Sequence, residues 1–346
     1  NVSGLIAYTP EQTTQAHLLV TGQGGDFTLR RYEPAETLDF TKEDAPEEGE
    51  GFRWDAGQSL LTLDGFDRVL LPDGATVALA TGSENVIRCL NGCALLSHGA
   101  LAIEGPGTLR ISGQDDGRSS IGINVDGSLT IHHAQITLQN MRSGLYAGDL
   151  TISDSTVTAE NCDYSFTVES GARLSGSSLD VGTIELNGRL EADNCFLRAE
   201  KIQCNESEAT DSLVFEAGFG TVTGSYTLPR DLTIDWDECL YLPEGTALTA
   251  GEGTALTLEG WLVEDAGGSR GTLAGDVRGQ ERWLSRCDGA VRLSVEKDAA
   301  GDGYTWTAAE RLLKLTGGWC YMGDFSLPGG STLEAEGQSV VFGTDY

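Results

Sequence analysis

Gly113-Gln114-Asp115-Asp116 places two carboxylates side by side, ahead of a glycine turn at Gly117. Paired carboxyl groups suit acid–base work on a glycosidic bond, one protonating the leaving oxygen and one activating water. Arg110 and Arg118 flank the pair, and Asp126 would fall close to it on the next turn of a coiled chain. Carboxylate oxygens are also what a hard cation prefers, so Ca²⁺ is the ion expected, held by Asp115, Asp116 and Asp126. The plainer reading is an acidic turn, because Asp and Gly make turns without any further role. His132-His133 could offer a metal ligand, but neighbours on a strand face opposite ways, which leaves one exposed and one packed. Aromatic faces can stack on sugar rings. Tyr241 lies out of phase with Leu240 and Leu242, and Trp261 lies out of phase with Leu256 and Leu258. With Trp283 they are the candidate carbohydrate contacts. Trp236 shares phase with Leu232 and Ile234 and is expected inside, whereas Trp54 and Trp306 belong to a repeat and are assigned to packing.

Such residues need a scaffold, and composition narrows it. The 346 residues include 46 Gly but 8 Pro, which signals many tight turns between short strands. Lys and Arg total 22 against 53 Asp and Glu, a net charge of −31. That surface repels phosphate backbones and anionic membranes, which argues against nucleic acid and membrane-surface partners. No run of apolar residues is long enough to cross a bilayer as a helix. The eight Cys show no CxxC spacing and only four His accompany them, so zinc is not expected. Most are expected as buried thiols, with Cys89 and Cys93 the best disulfide candidates. The chain opens at Asn1 without Met and reads as an excised mature segment.

Alternation with period two dominates the middle of the chain. Leu101-Ala102-Ile103, Leu129-Thr130-Ile131, Leu150-Thr151-Ile152 and Leu190-Glu191-Ala192 each follow a turn, and second strands such as Gln135-Ile136-Thr137-Leu138 come after them. Aliphatics then face inward, with Thr, Ser and Arg outward. One such rung cannot bury its apolar side alone, whereas stacked rungs bury a continuous core. The expected fold is therefore all-β, a right-handed parallel β-helix (β-solenoid) built as a single-stranded coil stack. Gly51-Phe52-Arg53-Trp54 with Leu61-Thr62-Leu63 returns as Gly303-Tyr304-Thr305-Trp306 with Leu313-Lys314-Leu315, at the same internal spacing. Leu71-Pro72 and Leu327-Pro328 follow the two copies. Thr307 to Lys314, the best helical candidate, reads as a turn between strands. Four regions result. Residues 1–50 form a β segment with an acidic loop, 51–212 the β-helix core, 213–290 a Trp-richer continuation with shorter rungs, and 291–346 the second copy of the Gly-x-x-Trp module.

The Gly-x-Leu-Thr-Ile rungs, the Leu-Pro-x-Gly turn and Ser83-Glu84-Asn85-Val86-Ile87 resemble a group of secreted clostridial-type β-helix proteins labelled carbohydrate-binding domain proteins, over roughly residues 60 to 205. The resemblance implies a polysaccharide-lyase-like fold and, for some members, binding of polysaccharide and calcium. Two supporting motifs of polygalacturonase-type hydrolases, Gly-His-Gly and Arg-x-Lys, do not occur. The expectation is an extracellular, non-catalytic binding module for polysaccharide, secreted or at the cell surface. The alternatives are a structural or adhesive segment of a larger surface protein and, less favoured, a polysaccharide lyase or hydrolase.

Overall fold

The computed structural model describes residues 17–21, 28–32, 37–39, 48–49, 52–55, 60–63 and 68–342, apart from 90–91, 114–119, 289–290, 302, 317, 323–324 and 337–338. No described residue is helical, and the strands stack mostly in parallel as a β-solenoid of about eleven turns. Each coil of the first stack contributes one strand to each of three faces. Leu95, Ile123, Leu145, Phe166 and Ile184 are register partners on the first face. Val77, Ile103, Ile131, Ile152, Leu174 and Ala192 form the second, and Leu109, Ile136, Val157, Leu179 and Leu197 the third. All sixteen are buried, and the intervening side chains point out. Burying each aliphatic side chain contributes roughly 1.5–3 kcal/mol, and it does so only because the neighbouring coil covers it.

The coils shorten along the stack. Register partners Leu101 and Leu129 are 28 residues apart (101 to 129), whereas Leu190 and Ser207 are 17 apart (190 to 207). The shortening expected beyond residue 213 thus falls earlier. Coils of the second stack lengthen again, to 22 residues (225 to 247) and 25 (247 to 272). The stacks meet at an antiparallel hairpin, Leu213–Glu216 with Phe219–Val222, turning through Ala217 and Gly218 at positive φ. Beyond it a separate buried cluster runs from Phe196 and Leu213 to Leu262.

The corner between the second and third faces is held by a ladder that sequence reasoning missed. His133, Asp154, Gly176, Asn194 and Asp211 occupy equivalent turns, all with positive φ. Glycine, Asn and Asp tolerate that region best, which accounts for four of the five. The next residue points inward. Ser177 Oγ accepts the Ser155 N–H (3.1 Å) and donates to Ser175 O (2.7 Å). Ser155 Oγ does the same for Ala134, and Ser212 Oγ for Cys195. Each buried hydroxyl thus satisfies an amide of the coil beside it.

The sequence repeat is a structural repeat. Phe52–Asp55 pairs antiparallel with Leu60–Leu63, setting Phe52 against Leu63 and Trp54 against Leu61. Tyr304–Thr307 pairs with Leu312–Thr316 in the same register, Tyr304 against Leu315 and Trp306 against Leu313. Trp306 is buried and its Nε1 donates to Ser294 O at 2.8 Å, the packing role expected of it. The turn expected within 307–314 separates the two strands of this hairpin. The cysteines stand as thiols, Cys89 and Cys93 among them, which overturns the disulfide expectation for that pair. Cys89 Sγ points to Gly92 O (3.2 Å), while Cys93 Sγ meets the Asn124 amide on the next coil (3.5 Å).

Candidate functional site: a groove at a coil step

The groove arises from unequal coil lengths. Thr158 pairs with Asp180 and Phe166 with Ile184, so eight residues (158 to 166) on one coil span what four (180 to 184) span on the next. The longer coil overhangs at Glu160, Asn161 and Cys162. Opposite it stands the turn Asp235–Glu238, closed by Glu238 N–H to Asp235 O at 2.9 Å. Between them lies a groove of about 720 Å³, floored by the small residues Gly182, Ala199, Ala217 and Gly218 and lined by Asp180, Arg198 and Glu200.

Its polar groups are partly tied to one another. Arg198 Nη2 lies 3.3 Å from Glu238 Oε2, and the guanidinium sits 4.8 Å from the centre of the Phe215 ring. Glu238 Oε2 also accepts the Asp235 N–H at 3.0 Å. Burial raises the Glu238 carboxyl above its ordinary value, against the Asp235 amide and Arg198, which pull it down. Asp180 faces Arg230 at 3.6 Å. Glu160 accepts from the Gln139 amide at 2.8 Å, and Asn161 donates to Asn140 at 3.1 Å on the preceding coil. Burial pushes the Cys162 thiol up to about 11, so it stays protonated at neutral pH.

Among the Phe, Tyr and Trp side chains described, only Tyr164 (38 % exposed) and Trp236 (75 %) are exposed. Neither ring lines the groove, but each lies on a segment that does. Tyr164 follows Cys162 by two positions on one strand, and Trp236 shares the turn of Glu238. Trp236 corrects the inward expectation. Its strand ends at Ile234, so the phase of Leu232 and Ile234 does not carry into the turn.

The aromatics expected to contact sugar lie elsewhere. Tyr241 does point away from Leu240 and Leu242, yet it is 7 % exposed. The outer side of this sheet carries its own apolar cluster, Phe219, Cys239, Val263, Leu284 and Cys320, which buries it. The Tyr241 hydroxyl bonds to Asp265, and Arg286 covers the ring at 4.3 Å. Trp261 is half-buried against the same cluster with Arg282 at 5.5 Å. Trp283 packs on the inner cluster under Arg270 at 4.2 Å. These three rings do not make an exposed stripe.

Asp115 and Asp116 lie outside the described residues. Asp126 is exposed and its Oδ2 lies 2.8 Å from His98 Nδ1 on the preceding coil. Among the described residues no group of three or more His, Cys, Asp or Glu gathers for a metal. His132 and His133 are both exposed, because His133 sits in the left-handed corner rather than within the strand.

No family model, curated protein or solved structure matches this chain. The groove is therefore read from its own chemistry. Carboxylates and an Asn amide can pair with sugar hydroxyls, and exposed rings can stack on sugar faces. Step and carboxylates come together only in three dimensions. The signal available in sequence was the extra length between Val157 and Phe166 relative to Leu179 and Ile184.

Proposed function

We propose that the protein is an extracellular, non-catalytic binder of polysaccharide, and that the groove between the Glu160–Cys162 overhang and the Asp235–Glu238 turn is its glycan site. The observation that carries the reading is a polar groove lined by Glu160–Cys162 and Glu238, on the two segments that also carry the exposed rings Tyr164 and Trp236. The resemblance to secreted carbohydrate-binding β-helix proteins points to the same ligand class and to a place outside the cell.

A second reading, a structural or adhesive segment of a larger surface protein, is favoured by the repeated hairpin module, since arrays grow by duplication. A lyase or hydrolase is the third reading, and the groove's carboxylates and Arg198 are the feature that would serve it. Binding to a panel of plant, mucin and bacterial polysaccharides, with Ca²⁺ and then with chelator, separates the three. A specific hit weakened about threefold to tenfold by Trp236→Ala or Tyr164→Ala supports the glycan site. Silence across the panel moves the assignment to the structural segment, and release of reducing or unsaturated ends moves it to an enzyme.

A further inference from the structure

The third face carries a second groove, of about 290 Å³, along the same strands. One wall is Thr156, Ser178 and Asn194, which precede Glu160, Asp180 and Arg198 of the first groove on the same three coils. Thr156 pairs with Ser178, Thr158 with Asp180 and Asp180 with Arg198, so both grooves lie on one parallel sheet. The other wall is Tyr226, Thr227 and Arg230. That segment runs on through Leu232–Ile234 to the Asp235–Glu238 turn of the first groove. Both walls therefore reach the second groove first and the first groove a few residues later.

One ion pair divides the two. Arg230 lies over the Phe196 ring at 5.1 Å, and its Nη2 is 3.6 Å from Asp180 Oδ2. Phe196 is the register partner of Ser178, in the row of the second groove, whereas Asp180 lines the first. The Arg230 and Asp180 side chains are 49 % and 44 % exposed. An ion pair as exposed as this contributes little to stability, so the divider is a pair of surface side chains rather than a fixed wall. On each side of it a buried polar atom has no hydrogen-bond partner among the described residues, Ser178 Oγ in the second groove and Arg198 Nε in the first. Buried donors are normally paired, and a sugar hydroxyl can accept from either of these.

We infer that the two grooves are subsites of one trough, which takes a neutral glycan lengthwise along the strands of the third face, with Arg230 and Asp180 bonding to the sugars between them. The inference rests on the glycan reading of the first groove and adds a requirement for length. Between Ser178 and Gly182 the strand rises roughly 13 Å, so a chain that reaches both subsites spans a few sugar units. The guanidinium donates and the carboxylate accepts, which together suit the hydroxyls of an uncharged ring. A ligand held at two linked subsites gains affinity over one held at either alone.

Calorimetric titration tests this, with oligosaccharide ladders cut from cellulose, xylan and mannan, and from any other neutral polysaccharide that the panel identifies. For a ladder that binds, affinity should climb with length by about tenfold or more and then level off once both subsites are filled. Arg230→Ala and Thr227→Ala should each weaken the longest oligosaccharides about threefold to tenfold and leave the shortest that bind unchanged. Glu238→Gln, in the first groove, should weaken short and long alike. Arg230 and Thr227 are exposed, so both variants should keep the wild-type circular dichroism. Should Arg230→Ala fail to fold, Thr227→Ala carries the test. Affinity that does not change with length overturns the trough and leaves the first groove standing as the glycan site, as do folded variants that bind the longest oligosaccharides like wild type. Binding confined to charged polysaccharides overturns the inference as well. Silence from every ladder and every member of the panel overturns both the trough and the glycan reading.

Discussion

Glu238 is a carboxylate whose surroundings oppose its charge. It stands at the junction of the two stacks, held by the Asp235 N–H and by Arg198, with burial raising its affinity for a proton. A carboxyl that holds its proton more tightly folded than unfolded contributes stability in full below its unfolded value, near 4.5, and loses that contribution as pH rises through the folded value. Glu238→Gln removes the titration. The melting-temperature advantage of wild type over the variant should therefore shrink between about pH 4 and about pH 7. A difference that stays constant over that range would show that the Glu238 side chain titrates alike in both states.

Corners, more than strands, give the solenoid its order at the scale of the element. The strands alternate in a way any half-buried strand would. The turn at each corner must instead reach positive φ and then bury a hydroxyl. Ser177→Ala leaves the Ser155 N–H without its acceptor inside the protein. An orphaned buried amide costs about 1–3 kcal/mol. Denaturant unfolding of Ser177→Ala should show a loss of that size, while Ser175→Ala, at an exposed position, should change stability by less than about 0.5 kcal/mol. Equal effects at the two sites would remove the ladder as a source of stability. Strand ends explain why the period-two rule misplaced His133 and Trp236. Both sit just past a strand end, where phase no longer sets direction.

Charge matters most for the molecule as a whole. The groove is lined by Glu160, Asp180, Glu200 and Glu238 against Arg198 alone, within a chain of net charge −31. A polyuronate would meet like charge along its whole length, and in a partly desolvated groove such contacts are unfavourable. Neutral glycans should therefore bind ahead of polyuronates at low salt, and the gap should narrow as ionic strength rises. Tighter binding of a polyuronate in chelator at low salt would contradict the electrostatics of this groove.

What the sequence determined by itself was the period and the repeat. Leu101, Leu129 and Leu150 mark true coil starts because inward aliphatics recur wherever a coil must cover its neighbour. The two Trp hairpins match because the same local pattern pairs locally, at short sequence separation. Tertiary structure decided the rest. Whether an outward residue meets water depends on what lies across the sheet, and no alternation pattern encodes that. Tyr241 points outward and is buried by a second cluster, whereas Trp236 ends exposed on a turn. The groove itself exists because a four-residue difference in coil length opens a step against a turn some seventy residues later in the chain (161 to 235). Only the stacking of intervening coils brings those two walls together.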